Sequence, residues 1–189
     1  AAGGQGAPLV PAFHRAVFGR PGETTGVLNL GGISNLTVLQ ADGSTIGFDC
    51  GPGNALMDHW CQAHTGRAFD DGGAWAASGQ VIEPLLQHML ADPYFALPAP
   101  KSTGRDRFHP DWLKAGLQGS LSSASAADVQ ATLAELTAAC CASDFRRYAT
   151  DARELLVCGG GAFNRHLMRR LAARLPGVAV LPSDDRGLP

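Results

Sequence analysis

Apolar positions along this chain recur in two rhythms, and the change from one to the other marks its elements. Val27 to Leu30 and Leu36 to Gln40 are short strand-forming runs that flank the turn Gly31-Gly32-Ile33-Ser34-Asn35. Asp42-Gly43 is a hairpin signal and Ser44 to Cys50 follows, so three consecutive antiparallel strands are predicted. After Gly51-Pro52-Gly53-Asn54 the spacing becomes helical, with Leu56, Met57, Trp60, Cys61 and His64 on one face and Asn54 as the expected N-cap. Residues 66–124 mix short helices, such as Val81 to Leu90, with connections rich in Pro, Gly and Ser. A long helix is predicted from about Asp128 to Tyr148, with Val129, Leu133, Leu136 and Cys140 along one stripe. Glu154 to Cys158 reads as a buried strand, about Asn164 to Leu175 as a helix stopped by Gly177, and Val178 to Leu181 as a last strand. Residues 1–26 read as a loop with a short apolar segment from Val10 to Val17. The expected architecture is α/β: a β-β-β-α-β-α-β core, a meander continued by parallel strands, with a mostly helical insertion at about 66–150.

Composition narrows the function classes. The chain has 189 residues, 45% apolar and 17% charged, which suits a globular lobe with a real core. Its net charge of −2, without any block of Lys or Arg, argues against a nucleic-acid partner. No apolar run approaches the ~18 residues of a spanning helix, so a soluble cytoplasmic protein without a membrane partner is expected. Cys50, Cys61, Cys140, Cys141 and Cys158 form no C-x-x-C pair and read as reduced core residues. With the histidines also lacking ligand spacing, no metal site built from Cys and His is expected. The chain opens without Met inside a Gly-rich turn and closes on a loop, so both ends are expected to be cuts in a longer protein.

Three Gly-rich turns follow strands, and two of them lead into helices. Such turns let a ligand approach the main chain, and a helix N-terminus adds free N–H groups for an anion, so together they suggest a polyphosphate ligand. In the first, Asn29 and Asn35 flank Gly31 and Gly32, more than a plain hairpin requires. In the second, Asp49 ends a strand before Gly51-Pro52-Gly53-Asn54. A carboxylate there is either a general base or magnesium ligand facing a cleft, or a cap for its own turn. Asp58, one turn further on, is its competitor and is expected to contact its helix neighbours. The third, Gly159-Gly160-Gly161 before Asn164, lacks the dinucleotide spacing but suits an adenosine group lying over glycine backbone. Lys101-Ser102 lacks the glycines of a phosphate loop. Lys101 to Arg105 is either a loop touching substrate or partner, or a solvated one, and Arg67, Asp70 and Asp71 pose the same choice.

The runs NLGGISNLTVL, GFDCGPGNALMDHW, FDDGGAWAASGQV, PKSTGRDRF, DVQATLAELT and ELLVCGGGAFN, in this order, resemble the anhydro-N-acetylmuramic acid kinase family, as does the opening AAGGQGAPLVPAFH. The resemblance covers nearly the whole chain. It implies a fold of the actin, sugar kinase and Hsp70 type (ribonuclease H-like), of which residues 1–189 would be the second, C-terminal lobe. The N-terminal lobe and a final helix would lie outside the chain. It implies ATP and Mg2+, a small-molecule sugar substrate and a homodimer. Asn29, Gly31, Gly32 and Asn35 would be the second phosphate hairpin, and Gly159, Gly160, Gly161 and Asn164 the adenosine motif. Asp49 is similar to the family's catalytic base, which activates water to open the 1,6-anhydro ring while O6 is phosphorylated. Gln5, Gly51, Gly53 and Asn54 are the residues expected at the sugar. The alternatives are a nucleotide- or sugar-binding fragment without catalysis, and a kinase of this fold acting on another sugar.

Overall fold

A computed structural model describes residues 10–104, 106–118 and 123–186. Gln5 and Arg105 lie outside the described residues. Five strands form one mixed sheet: β1 (Thr25–Leu30), β2 (Ile33–Leu39), β3 (Thr45–Pro52), β4 (Glu154–Cys158) and β5 (Ala179–Pro182), in the spatial order β3-β2-β1-β4-β5. β1, β2 and β3 pair antiparallel, whereas β4 pairs parallel with β1 and with β5. The predicted meander with a parallel continuation is therefore present. The chain returns to β4 through a long crossover that, among the described residues, contains four α-helices, α2 (Asn54–Thr65), α3 (Glu83–Leu90), α4 (Pro110–Gly116) and α5 (Ala126–Tyr148). α6 (Arg165–Arg174) joins β4 to β5. Ahead of β1, α1 (Val10–Phe18) replaces the loop expected there.

α5 is the centre of the packing. The sequence offered one apolar stripe, yet the helix is buried almost all round, between the sheet on one side and α2, α3 and α6 on the others. Ala131, Ala134, Ala138, Ala139 and Ala142 let neighbours approach closely, while Leu133, Leu136 and Phe145 fill the remaining space. Burying each of these large side chains contributes about 1.5–3 kcal/mol. The region expected as an insertion thus contains a helix at the centre of the core. Three of the polar groups that α5 carries inward are matched, with Thr137 donating to the Pro52 carbonyl (3.0 Å), Thr132 accepting from Ile82 N–H (2.9 Å) and Glu135 paired with Arg170 and Arg174 of α6, whereas the buried Gln130 Oε1 has no hydrogen-bond partner.

The opposite sheet face is thinner. Phe18 of α1 packs there with Val27, Leu39 and Leu156, and His14 Nδ1 lies 3.0 Å from Thr37 Oγ1. Contact of α1 with β2 and β3 covers one end of this face and leaves the other end, where β1 and β4 terminate, to the residues described next. Among the described residues no helix is long and apolar enough to cross a membrane.

Candidate functional site

Asp49, Asn35, Asn29 and Cys158 stand in one line across four adjacent strands: Asp49 opposes Asn35, Asn35 opposes Asn29, and Asn29 opposes Cys158. Directly opposed residues share a face, here the thinner one. A register shift helps to aim the first of them. Asn35 opposes Asp49 but Ser34 opposes Gly51, so Cys50 is an extra residue in β3. Such a bulge ends regular pairing and redirects side chains. Cys50 is buried in the α5 core, while Asp49 faces the open side and is half-buried.

Asp49 is held at its carboxylate, its N–H and its carbonyl. Its Oδ1 accepts from Asn35 Nδ2 at 2.8 Å, and its Oδ2 from Ser102 Oγ at 3.1 Å and Thr103 N–H at 2.9 Å. Its own N–H donates to the Lys101 carbonyl (3.0 Å), and its carbonyl accepts from the Tyr94 hydroxyl (2.7 Å). None of the three donors to the carboxylate belongs to the following turn, so the carboxylate is not spent on capping. An ionised carboxylate has about four acceptor positions, and three donors leave roughly one for a proton supplied from the cleft.

The three Gly-rich turns converge beside this line. Gly53, not Asn54, is the N-cap of α2, and the first N–H groups of that helix are already used: Gly53 donates to the Gly32 carbonyl (3.0 Å), Asn54 to Gly31 (2.7 Å) and Ala55 to Gly32 (3.2 Å). The expectation of free N–H groups at this helix therefore fails, because the β1–β2 turn docks on them. The peptide is planar and trans, so a Gly31 carbonyl aimed at Asn54 turns the Gly32 N–H to the opposite side. Asn54 instead donates its side-chain amide to the Leu30 carbonyl (3.0 Å). Contact is so close that a Cβ on Gly53 would lie 2.2 Å from the Gly31 oxygen. Gly51, also expected at the sugar, is buried, with Phe95 and Cys140 against it.

The triple glycine meets the same hairpin from the other side. Gly159 has φ +79°, and a Cβ there would lie 2.3 Å from Asn29 Oδ1, while one on Gly161 would lie 2.5 Å from Leu30 Cβ. Asn164 caps α6, accepting from Leu167 N–H at 3.0 Å. Two openings flank Gly160 and Phe163. One, of about 440 Å3, runs past Asn54, Asp71 and Asn164; the other, of about 620 Å3, past Cys158, Gly159 and Ser183. Phe163 is 74% exposed and Phe69 59%, both at the first opening. Burial pushes the Cys158 thiol above its ordinary range.

Other candidates divide. Asp70 is buried and accepts from Trp75 and Ala76 N–H (2.8 Å each), so it closes its own loop, whereas Asp71 is exposed at the first opening and Arg67 is exposed beside Thr65. Lys101 is buried, against the solvated reading of its loop, and Ser102 and Thr103 reach Asp49. Sequence reasoning missed those two as partners of Asp49, and missed Tyr94 altogether. Nothing local marks residues so distant in the chain. Asn35 was read as a phosphate ligand, and it is Asp49 that its side chain contacts.

The chain is 61% identical to the anhydro-N-acetylmuramic acid kinase of Variovorax paradoxus and 60% identical to that of Cupriavidus pinatubonensis, over its whole length but only 52% and 51% of theirs. It thus spans about half the length of the curated relatives it matches. Among solved structures it resembles the activator of 2-hydroxyisocaproyl-CoA dehydratase from Clostridium difficile with bound ADPNP, with a TM-score of 0.56 at 16% identity, covering 90% of this chain and 57% of that one. That likeness establishes the actin-type fold. The sequence model of anhydro-N-acetylmuramic acid kinases matches residues 1–189, and with the runs around Asp49, the hairpin and the triple glycine all in their expected strands, the chain belongs to the anhydro-N-acetylmuramic acid kinase family.

Proposed function

We propose that the chain is the second lobe of a cytoplasmic ATP-dependent kinase that converts 1,6-anhydro-N-acetylmuramic acid to N-acetylmuramic acid 6-phosphate during cell-wall recycling. One observation carries the reading: a carboxylate with an acceptor position left, on the strand next to a glycine hairpin whose Gly32 N–H points away from the packed helix. Asp49 takes a proton from water as the water oxygen bonds to C1 of the sugar. The C1–O6 bond breaks, its electron pair stays on O6, and O6 takes the γ-phosphoryl group while ADP departs. Phosphoryl transfer depends chiefly on positioning and charge stabilisation, which is the work expected of Asn29, the Gly31-Gly32 turn and a partner lobe. The adenosine lies over Gly159 to Gly161, against the exposed Phe163 ring. Among the described residues no three His, Cys, Asp or Glu side chains are grouped so as to hold a metal. Magnesium bound to the ATP phosphates would neutralise their charge, and no step is assigned to a protein-held ion. A homodimer rests on the family resemblance alone.

The test is Asp49→Asn in the full-length protein, assayed with ATP and the anhydro sugar. Turnover is expected to fall at least ~1000-fold, at the scale of a lost general base with its oriented water, while ATP affinity by calorimetry stays within about threefold. Retained turnover refutes the role of Asp49. Equal turnover with an ordinary hexose refutes the substrate.

A further inference from the structure

Lys101 to Thr103 grip Asp49 at both its backbone and its carboxylate, yet this segment has no regular secondary structure and follows an exposed stretch at Leu97. Of these three residues Lys101 alone carries a charge, and its side chain runs inward. Lys101 passes the Tyr94 ring, with Nζ 5.0 Å from its centroid, and ends 3.0 and 3.3 Å from the two carboxylate oxygens of Asp144 on α5. The two side chains are 3% and 6% exposed. Tyr94 in turn donates its hydroxyl to the Asp49 carbonyl, so the ammonium lies against both structures that hold Asp49. Burial pushes the Asp144 carboxyl up despite Lys101, with the buried thiols of Cys50 and Cys141 beside it. An ion pair enclosed in this way adds little stability over apolar side chains of similar volume. What it does supply is a fixed position for the backbone that carries it.

We propose that Lys101 is a positioning residue for the reaction: its buried pair with Asp144 pins residues 101–103 in the register that orients the Asp49 carboxylate. The inference rests on Asp49 being the base. Lys101 touches no reacting atom; it acts through the segment it anchors.

Lys101→Met combined with Asp144→Leu replaces the pair by apolar side chains. In the full-length kinase this double variant is expected to melt at or above the parent temperature. Its kcat falls ~30-fold, within the range for a displaced catalytic group, while KM for ATP stays within about twofold. Exchange of the Asp49 amide, which donates to the Lys101 carbonyl, accelerates about tenfold as that bond opens. A kcat within about threefold of the parent, or unchanged exchange at Asp49, overturns the proposal. If the double variant does not fold, the nearly isosteric Asp144→Asn is read by the same measurements with the same criteria. Asp49→Asn assayed alongside separates the two claims: its retained turnover removes the base, whereas the amide readout still decides whether Lys101 pins the segment.

Discussion

Replacing Gly53 by Ala puts a methyl group where the hairpin turn meets α2. The added Cβ would lie 2.2 Å from the Gly31 carbonyl oxygen and 3.1 Å from Ser34 N, both backbone atoms that cannot swing aside as a side chain would. The turn must lift from the helix, which weakens the three bonds from Gly53, Asn54 and Ala55 to Gly31 and Gly32, and strains the Asn54 amide bond to Leu30. Overpacking costs about 1–3 kcal/mol, and losing two of these hydrogen bonds adds about 2, so the expected loss is about 3–5 kcal/mol. For a chain of this length that corresponds to a fall of roughly 10 °C in Tm. Gly43→Ala is the control: φ there is +90°, with nothing within 4 Å of the new Cβ, so only the conformational cost of about 1 kcal/mol applies. Urea unfolding of both variants, followed by circular dichroism, compares them directly. A Gly53→Ala protein no less stable than Gly43→Ala refutes the docking of hairpin on helix.

Asn35→Ala removes one of three donors to Asp49 and is expected to lower kcat of the full-length kinase about tenfold, as loss of a charge-assisted hydrogen bond of ~1.5 kcal/mol would; ATP affinity within about twofold of the parent separates this from a phosphate-binding role, which would weaken ATP first. Glu135 gives a pH signature: burial raises its carboxyl, but the hydrogen bonds and charges of Arg170 and Arg174 outweigh burial and hold it below its ordinary 4.5. A carboxyl depressed in the folded state adds stability above its unfolded value, and that stability is lost as pH falls through the folded one. The unfolding free energy of the parent should therefore decline more steeply than that of Glu135→Gln between about pH 5 and pH 3; parallel curves in urea titrations would rule the pairing out.

Local chemistry made much of this molecule readable. Asp42-Gly43 fixes the β2–β3 turn, and Asn35 and Asp49 are equidistant from Asp42, just as Asn29 and Asn35 are equidistant from Gly32. The line across the sheet follows from that symmetry, and only the fourth member, Cys158, needed the parallel crossover. α1 was legible too, since Val10, Phe13, His14, Val17 and Phe18 fall at helical spacing, but its Gly- and Pro-rich surroundings favoured a loop. Other features had no local signal. The burial of α5 on all sides depends on which elements return to pack on it. The grip of Ser102 and Thr103 on Asp49 joins residues more than 50 positions apart, and the carbonyls that accept from the first N–H groups of α2 lie in a turn that precedes it by two whole strands.

The line from Asp49 to Cys158 also acts as a ruler. It crosses three gaps between adjacent strands, each about 4.8 Å, so its ends are held about 14 Å apart by backbone hydrogen bonds. Side-chain substitution along the line alters what is touched at each mark but cannot change the distance between marks. A ligand that reaches from the carboxylate to the triple glycine must match that length, and selection for a longer or shorter one would have to act on the sheet itself. Point mutations at this site can therefore retune affinity and chemistry, while the separation between the carboxylate and the triple glycine stays fixed by the order of the strands.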